Sequence, residues 1–412
     1  MKILHLLSQR PEMTGSGIYI NQMIKKSAAQ GFKNGLLAGM PAKHQWSRAD
    51  SIDRFFPVYF GEGGDIPFPV VGMSDVMPYS STRFRDMSAD LVALYERSLL
   101  EKLEYAIESF QPDIIHSNHL WLMTALVKKW FPAVPVVASC HGSDLRQFRV
   151  NPHLQERVIS GCAQLEGVLA LSPAQAREIS ELYDICPSRI HVAGVGYDAS
   201  IFRPKNKITE NRFSILYAGK LANAKGVPWL LEAFRSLSGK EVTLHLCGSG
   251  SGAEAEKIIA DAMLDPRVIV HGNVDQKTLA GLMAGADIFV LPSFFEGVPL
   301  VLLEAMACGC RLVATRLPGV EYILPEPSNC ATLVNLPELE SVDQPVKDAG
   351  HAFAADLAQA IQQQLYRCQQ PVSDKECPQA SKTLANFTWD AVFDRVLTAY
   401  RIAHGNSGTV KI

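Results

Sequence analysis

The chain has 412 residues, 47% hydrophobic and 20% charged, with a net charge of −3. That length exceeds one ordinary core and sets two domains as the expectation, and the composition is globular rather than disordered. The near-neutral balance gives no ground for a nucleic-acid partner, so an anionic ligand would have to be met by local features.

The amino terminus, MKILHLLSQRPEM, carries too short an apolar run for a signal peptide and reads as a first buried strand. TGSG follows, with Gly15 and Gly17, but Ile20 stands where a dinucleotide fingerprint would place its third glycine, so an NAD-binding reading is weak. Small residues here suit either close backbone approach to a ligand or an ordinary tight turn. Further strands are predicted at GLLAG, DIIHSN, PVVASCHG, GVLALS and IHVAGVG. In SCHGSD, His141 is favoured as a ligand-facing donor and Asp144 as a cap for the next helix.

Residues 196–212 break the periodicity with a proline and several charges, which sets a first domain over 1–205 and a second over 206–385. Strands resume at FSILYAGKL, VTLHLCGSG, VIVHGNV, ADIFVLPS, RLVAT and ATLVN. Runs without strict alternation suit parallel strands covered on both faces, the pattern of two doubly wound, Rossmann-like α/β sheets. The polar stretch 341–385 holds a helix around AFAADLAQAIQQQLYR. Residues 386–412 form a closing helix and tail, with Trp389, Val392, Phe393, Val396 and Tyr400 at helical spacing, expected to pack back on the first domain.

In open α/β sheets ligands gather at the carboxyl ends of the strands. The exits to inspect are therefore 15–17, 141–144, 219–225, 248–252, and FFEGVPLVLLEAMACGC at 294–310. The last holds two acids, Glu296 and Glu304, with seven residues between them in an apolar stretch. Pro299 is expected at the first helical position, Glu296 in the loop and Glu304 in the second turn. At about 1.5 Å per residue, the rise from Pro299 to Glu304 is roughly 7–8 Å, the scale of a diphosphate. Free amides at the helix start favour an anion, while carboxylates accept from sugar hydroxyls and repel phosphate. The plainer reading makes Glu304 a helix-surface acid and Glu296 a charge favoured by the helix dipole. The apolar neighbours of Glu304 count against it, because an unpaired buried acid is costly.

Lys220 and Lys225 flank a loop after a strand, where two cations would stabilise charge building on a leaving diphosphate, although loop lysines are usually just solvated. LCGSGSG, with Gly248 and Gly250, permits close approach or a simple turn. No Asp-x-Asp pair or His/Asp cluster has metal spacing, so no metal and no other cofactor is expected. The nine cysteines include no CxxC pair and read as buried reduced thiols of a cytosolic protein. No run reaches the roughly 18 apolar residues that span a bilayer, so a cytoplasmic location is expected, with peripheral attachment to a membrane surface left open.

EGVPLVLLE followed by AMACGCRLVAT resembles the Glu, seven residues, Glu signature of glycosyltransferase family 4, retaining enzymes of the GT-B fold. TGSG, CHGSD, YAGKLANAKG, LCGSG and FTWDAVFDRVLTAY fall in the order that family implies, so the resemblance covers nearly the whole chain. It implies two Rossmann-like domains facing a central cleft, the first holding the acceptor and the second the nucleotide, with closure excluding water. By resemblance, Glu296 binds hydroxyls of the donor sugar, Glu304 the ribose, and Lys220 and Lys225 the diphosphate. The family more often has Arg at the position of Lys220, and Lys supplies a point charge in place of a two-pronged donor. The backbone of Gly297 and Val298 approaches phosphate and sugar, His141 lies beside the reacting sugar, and Gly17 lies near the diphosphate. Gly15, Gly219, Gly248, Gly250, Pro299 and Leu300 complete the donor-binding set.

The implied reaction moves a hexose from a nucleoside diphosphate sugar to a carbohydrate, lipid-linked or small-molecule acceptor. No nucleophile facing the anomeric carbon emerges, so the family's account, in which the leaving phosphate helps deprotonate the acceptor, is carried over as an implication. Residues 61–95, the least family-like part, would shape the acceptor side, with Arg83 and Arg85 either meeting an anionic acceptor or lying on a solvated loop. Three competing readings are a nucleotide-sugar epimerase of the same fold, a two-domain sugar-binding protein without catalysis, and, last, an NAD oxidoreductase.

Overall fold

The computed structural model describes the chain apart from residues 13, 45–49, 76, 205–211, 238–240, 251, 325–328, 342–343, 370–382 and 406–412. It divides into two compact units, residues 1–195 with 389–412, and residues 196–388. The boundary read from the sequence, between 205 and 206, lies outside the described residues.

The first unit is built on a seven-stranded, all-parallel sheet. Its strands are β1 (Lys2–Leu7), β2 (Lys33–Pro41), β3 (Arg54–Phe60), β6 (Ile114–Asn118), β7 (Val136–Ser139), β8 (Gly167–Ala170) and β9 (Ile190–Val192), in the order β3-β2-β1-β6-β7-β8-β9. The short β4 (Val71–Gly72) and β5 (Thr82–Arg83) pair separately. β1 is buried along five of its six residues and pairs Ile3 with Asn34 of β2 and with Ile114 of β6, so the strand order reverses beside it. β3 went unpredicted. Its sequence, RFFPVYF, carries Pro57, which is tolerated at a sheet edge because that residue has no amide to donate. The helix Trp389–Gly405 belongs to this unit and buries Trp389, Val392, Phe393, Val396 and Tyr400.

The second unit repeats the plan with β10 (Phe213–Ala218), β11 (Val242–Cys247), β12 (Val268–Gly272), β13 (Ile288–Leu291), β14 (Arg311–Thr315) and β15 (Ala331–Val334). Their order is β12-β11-β10-β13-β14-β15, all parallel, with the reversal between β10 and β13. Both sheets are thus doubly wound, and each has a switch point where two adjacent loops leave in opposite directions.

Two sequence readings need correction. Seven described cysteines are free thiols, but Cys330 is disulfide-bonded. A bridge depends on the approach of two backbones in space, which spacing along the chain does not reveal. Pro299 is not the first helical residue; its extended ψ of 106° makes it the cap, and the helix begins at Leu300. No helix among the described residues is long and apolar enough to cross a membrane.

Candidate active site

At the second switch point, two loops are fixed to one another. The exit of β10 is held by the Tyr217 hydroxyl, which donates to Lys220 O at 2.7 Å, and by Gly219 N, which donates to Cys247 O at 2.9 Å. Lys220 itself is exposed. One turn of 3-10 helix, Asn223–Lys225, then ends at Gly226 with φ +69°. A Cβ there would lie 2.0 Å from Pro292 O, so only glycine permits this turn to press against the exit of β13. That exit is anchored by Phe294, buried at 3% exposure, against the rings of Trp229 (5.0 Å) and Phe353 (5.5 Å). Phe294 N donates to Ala224 O at 3.0 Å, a direct tie between the loops.

This frame sets Lys225 against Glu296. The ammonium donates to Glu296 Oε1 at 2.7 Å and to Phe295 O at 3.3 Å. The two side chains are only 28% and 17% exposed, so the pair is more sheltered than a surface ion pair. After the loop, the helix Leu300–Ala307 places Glu304 in its second turn, between buried Leu303 and Ala305. Although Glu304 is half-buried as a residue, burial pushes its carboxyl up to about 7. That carboxyl has no hydrogen-bond or ion partner among the described residues. A helix-surface acid would have neither the burial nor the shift.

Gly297 is exposed, whereas Val298 and Pro299 are buried. Gly319, which the sequence reading missed, underlies this turn: a Cβ on it would fall 1.4 Å from Gly297 O. Its only signal was a Pro-Gly pair, ordinary turn chemistry. Gly248 and Gly250 back onto the β10 exit at Gly219 and Leu221. The structure therefore gathers Gly219, Lys220, Lys225, Gly248, Gly250, Glu296, Gly297, Val298, Pro299, Leu300 and Glu304 at the carboxyl ends of β10, β11 and β13.

In the first unit, His141 leaves β7 with its Nε2 3.0 Å from Asn118 Oδ1 and its ring 5.0 Å from Tyr19 and from His119. Burial pulls its pKa down to about 3, so the ring is neutral at ordinary pH. Asp144 is buried in the first turn of its helix, but that helix is capped by Gly142 without a side-chain bond. Instead of capping, the carboxylate accepts from His141 N (2.9 Å) and Leu120 N (2.8 Å), tying the exits of β6 and β7 together and so orienting His141. The capping reading fails because the long-range amide of Leu120 comes from another loop.

TGSG starts a helix, Gly15–Ala29: Thr14 caps it by accepting from Gly17 N at 3.1 Å, and Gly17 is packed beneath Pro11 O. Gly15 is exposed. Arg83 pairs with Asp86 at 2.6 Å and Arg85 with Asp75, so both belong to surface ion pairs rather than to a free cationic patch. Among the described residues no group of three His, Cys, Asp or Glu side chains is placed to hold a metal ion.

Two family descriptions match in tandem: Glycosyltransferase Family 4 over residues 79–201 and Glycosyl transferases group 1 over residues 212–344. The D-inositol 3-phosphate glycosyltransferase of Arthrobacter sp. strain FB24 is 30% identical over 238 residues, 50% of this chain and 55% of the relative. The MMP alpha-(1->4)-mannosyltransferase of Mycolicibacterium hassiacum is 28% identical over 250 residues, 56% of this chain and 60% of the relative. The chain thus matches little more than half the length of these relatives. Sucrose-phosphate synthase from Thermosynechococcus elongatus has the same fold throughout, with a TM-score of 0.75 over 98% of this chain and 100% of that one at 17% identity. One match spans His141, the other spans both lysines and both glutamates, and a GT-B structure superposes from end to end: the chain belongs to glycosyltransferase family 4.

Proposed function

We propose that the protein transfers a hexose from a nucleoside diphosphate sugar to an acceptor hydroxyl, without a metal and with retention at the anomeric carbon. The observation that carries this reading is the Lys225–Glu296 pair at 2.7 Å, set across the switch point beside the unpaired Glu304. In the second unit, Glu304 would accept from the ribose hydroxyls and Glu296 from the hexose. Lys225 and the exposed Lys220 would meet the diphosphate, where negative charge grows as the sugar–phosphate bond breaks. In the first unit, neutral His141, whose Nε2–H donates to Asn118 Oδ1, would accept from a hydroxyl of the reacting sugar through Nδ1, so the donor role expected from the sequence gives way to an acceptor role. The departing phosphate oxygen takes the acceptor's proton as the new glycosidic bond forms on the same face, so the displaced group acts as the base.

The names of the relatives, a D-inositol 3-phosphate glycosyltransferase and an alpha-(1->4)-mannosyltransferase, support a cyclitol or sugar acceptor. Seven free thiols among the described residues favour a cytoplasmic setting, and the bridge at Cys330 counts the other way. The test is nucleoside diphosphate release from UDP-, GDP- and ADP-hexoses, with the parent compared to Lys225→Ala and Glu296→Ala. Each variant is expected to lose about 100-fold or more in turnover while remaining folded; parental rates in both would remove the assignment. Mass spectrometry of donor incubated alone separates transfer from epimerisation, which would isomerise the sugar without an acceptor.

A further inference from the structure

A second polar cluster lies in the first unit; of its residues only Tyr79 falls in the 61–95 segment expected to shape the acceptor side, and Arg10, Glu12 and His44 have no role assigned above. Arg10 and Glu12 come from the loop after β1, His44 from the turn after β2, and Tyr79 from the segment between β4 and β5. Because β1 and β2 are parallel neighbours, both of their exits open at the carboxyl edge of the sheet, next to the switch point between β1 and β6.

The charged contacts converge on one oxygen. Arg10 Nε donates to Glu12 Oε1 at 3.0 Å, and Arg10 Nη2 meets the same oxygen and lies 3.0 Å from His44 Nε2. His44 Nε2 is in turn 2.9 Å from Glu12 Oε1. The guanidinium lies 5.0 Å over the Tyr79 ring. The other carboxylate oxygen, Glu12 Oε2, is buried without a partner. The Tyr79 hydroxyl is buried too; Arg10's backbone lies near it, but no hydrogen bond of ordinary geometry forms. Native proteins leave few buried polar atoms unpaired, because each forfeits its bonds to water. Two in one small cluster point to a missing partner.

The chemistry of that partner follows from the atoms left over. An ionised carboxylate only accepts, so the partner must donate to it. A phosphate would meet a carboxylate oxygen and be repelled, and a metal cation would face the Arg10 guanidinium. A neutral hydroxyl suits both, and a second hydroxyl suits Tyr79, which can donate or accept. The frame is held in advance. Gln9 Nε2 donates to Ser16 Oγ (2.7 Å) and Thr14 Oγ1 (3.2 Å), and Gln9 Oε1 accepts from Met73 N (3.2 Å), tying this loop to the segment that carries Tyr79. The side chains of Glu12 and His44 are 25% and 31% exposed, which opens the cluster to solvent on their side.

We propose that Glu12 and Tyr79, oriented by Arg10 and His44, form a subsite for a neutral polyol, one hydroxyl donating to Glu12 Oε2 and another pairing with the Tyr79 hydroxyl. That this polyol is the acceptor rests on the glycosyl-transfer reading; that the subsite binds a polyol does not. The test is saturation-transfer NMR on the full chain with myo-inositol and methyl α-D-glucopyranoside, and with inorganic phosphate as competitor. The parent should bind the polyols, Glu12→Gln and Tyr79→Phe should each weaken binding at least tenfold, and phosphate should not displace them. Failure of both polyols to bind the parent, parental affinity in both variants, or displacement by phosphate would each overturn the proposal. Tyr79→Phe removes a single oxygen and carries the test if Glu12→Gln does not fold. Thermal shifts with UDP, GDP and ADP report on the second unit separately: polyol binding without any nucleotide response would sink the donor reading alone, and the reverse would sink only the subsite.

Discussion

Glu304 is sheltered and has no partner among the described residues, which makes its ionisation depend on pH. Its carboxyl is raised from the ordinary 4.5 to about 7, so the folded protein prefers it protonated. Its contribution to stability is full below about 4.5 and is lost as pH rises through about 7. Thermal melts from pH 5 to 8 should therefore fall more for the parent than for Glu304→Gln, which keeps a neutral side chain throughout. If ribose hydroxyls donate to this carboxylate, binding selects the ionised form and expels a proton. Affinity for a nucleotide sugar, whose diphosphate does not titrate in this range, should then rise by about fivefold from pH 6 to 7, and Glu304→Gln should flatten the slope. Calorimetry in two buffers of different ionisation enthalpy reads the proton directly; equal slopes in parent and variant would contradict the role. Glu296 and Glu304 were legible in the sequence because two acids in an apolar run need a reason. Asp144 was misread and the Arg10 cluster went unseen, since both depend on which loops meet in space.

At the scale of elements, the strands were the most readable feature, because continuous apolar runs ending in Gly, Ser or Asn mark buried parallel strands. β3 escaped because Pro57 interrupts its run, and only its place at the sheet edge makes that proline acceptable. The strand exits were readable as positions, but not the contacts between them. Gly226 is the clearest case: nothing local distinguishes it, yet its positive φ and its approach to Pro292 O bring Lys225 to Glu296. Gly226→Ala should cost about 1–3 kcal/mol from backbone conformation alone, with more from the clash. Denaturant titration would show a lowered midpoint, and nucleotide binding should weaken beyond what the loss of stability explains. A variant with parental stability would show that the turn relaxes without cost.

At the scale of the molecule, the chain makes two similar sheets and then returns its last helix to the first of them. The return is secured in the core, where the Tyr400 hydroxyl lies 2.6 Å from His116 Nδ1 while His116 Nε2 lies 2.7 Å from Ser139 Oγ. Tyr400→Phe would leave a buried ring nitrogen unpaired, at about 1–3 kcal/mol, and the melting of the first unit should fall by roughly 3–8 °C. Unchanged melting would mean that this bond does not hold the helix. Repetition of the α/β pattern made two sheets readable from sequence, whereas the bond between Tyr400 and His116 joins residues far apart in the chain and had no local sign. On the proposed function, the second switch point grips a sugar-linked diphosphate between lysines and acids. A crystal structure with a bound nucleotide sugar tests it most directly. The expected complex has ribose hydroxyls on Glu304, hexose hydroxyls on Glu296 and the diphosphate beside Lys220 and Lys225; a donor bound elsewhere, or both glutamates turned to solvent, would rule this site out.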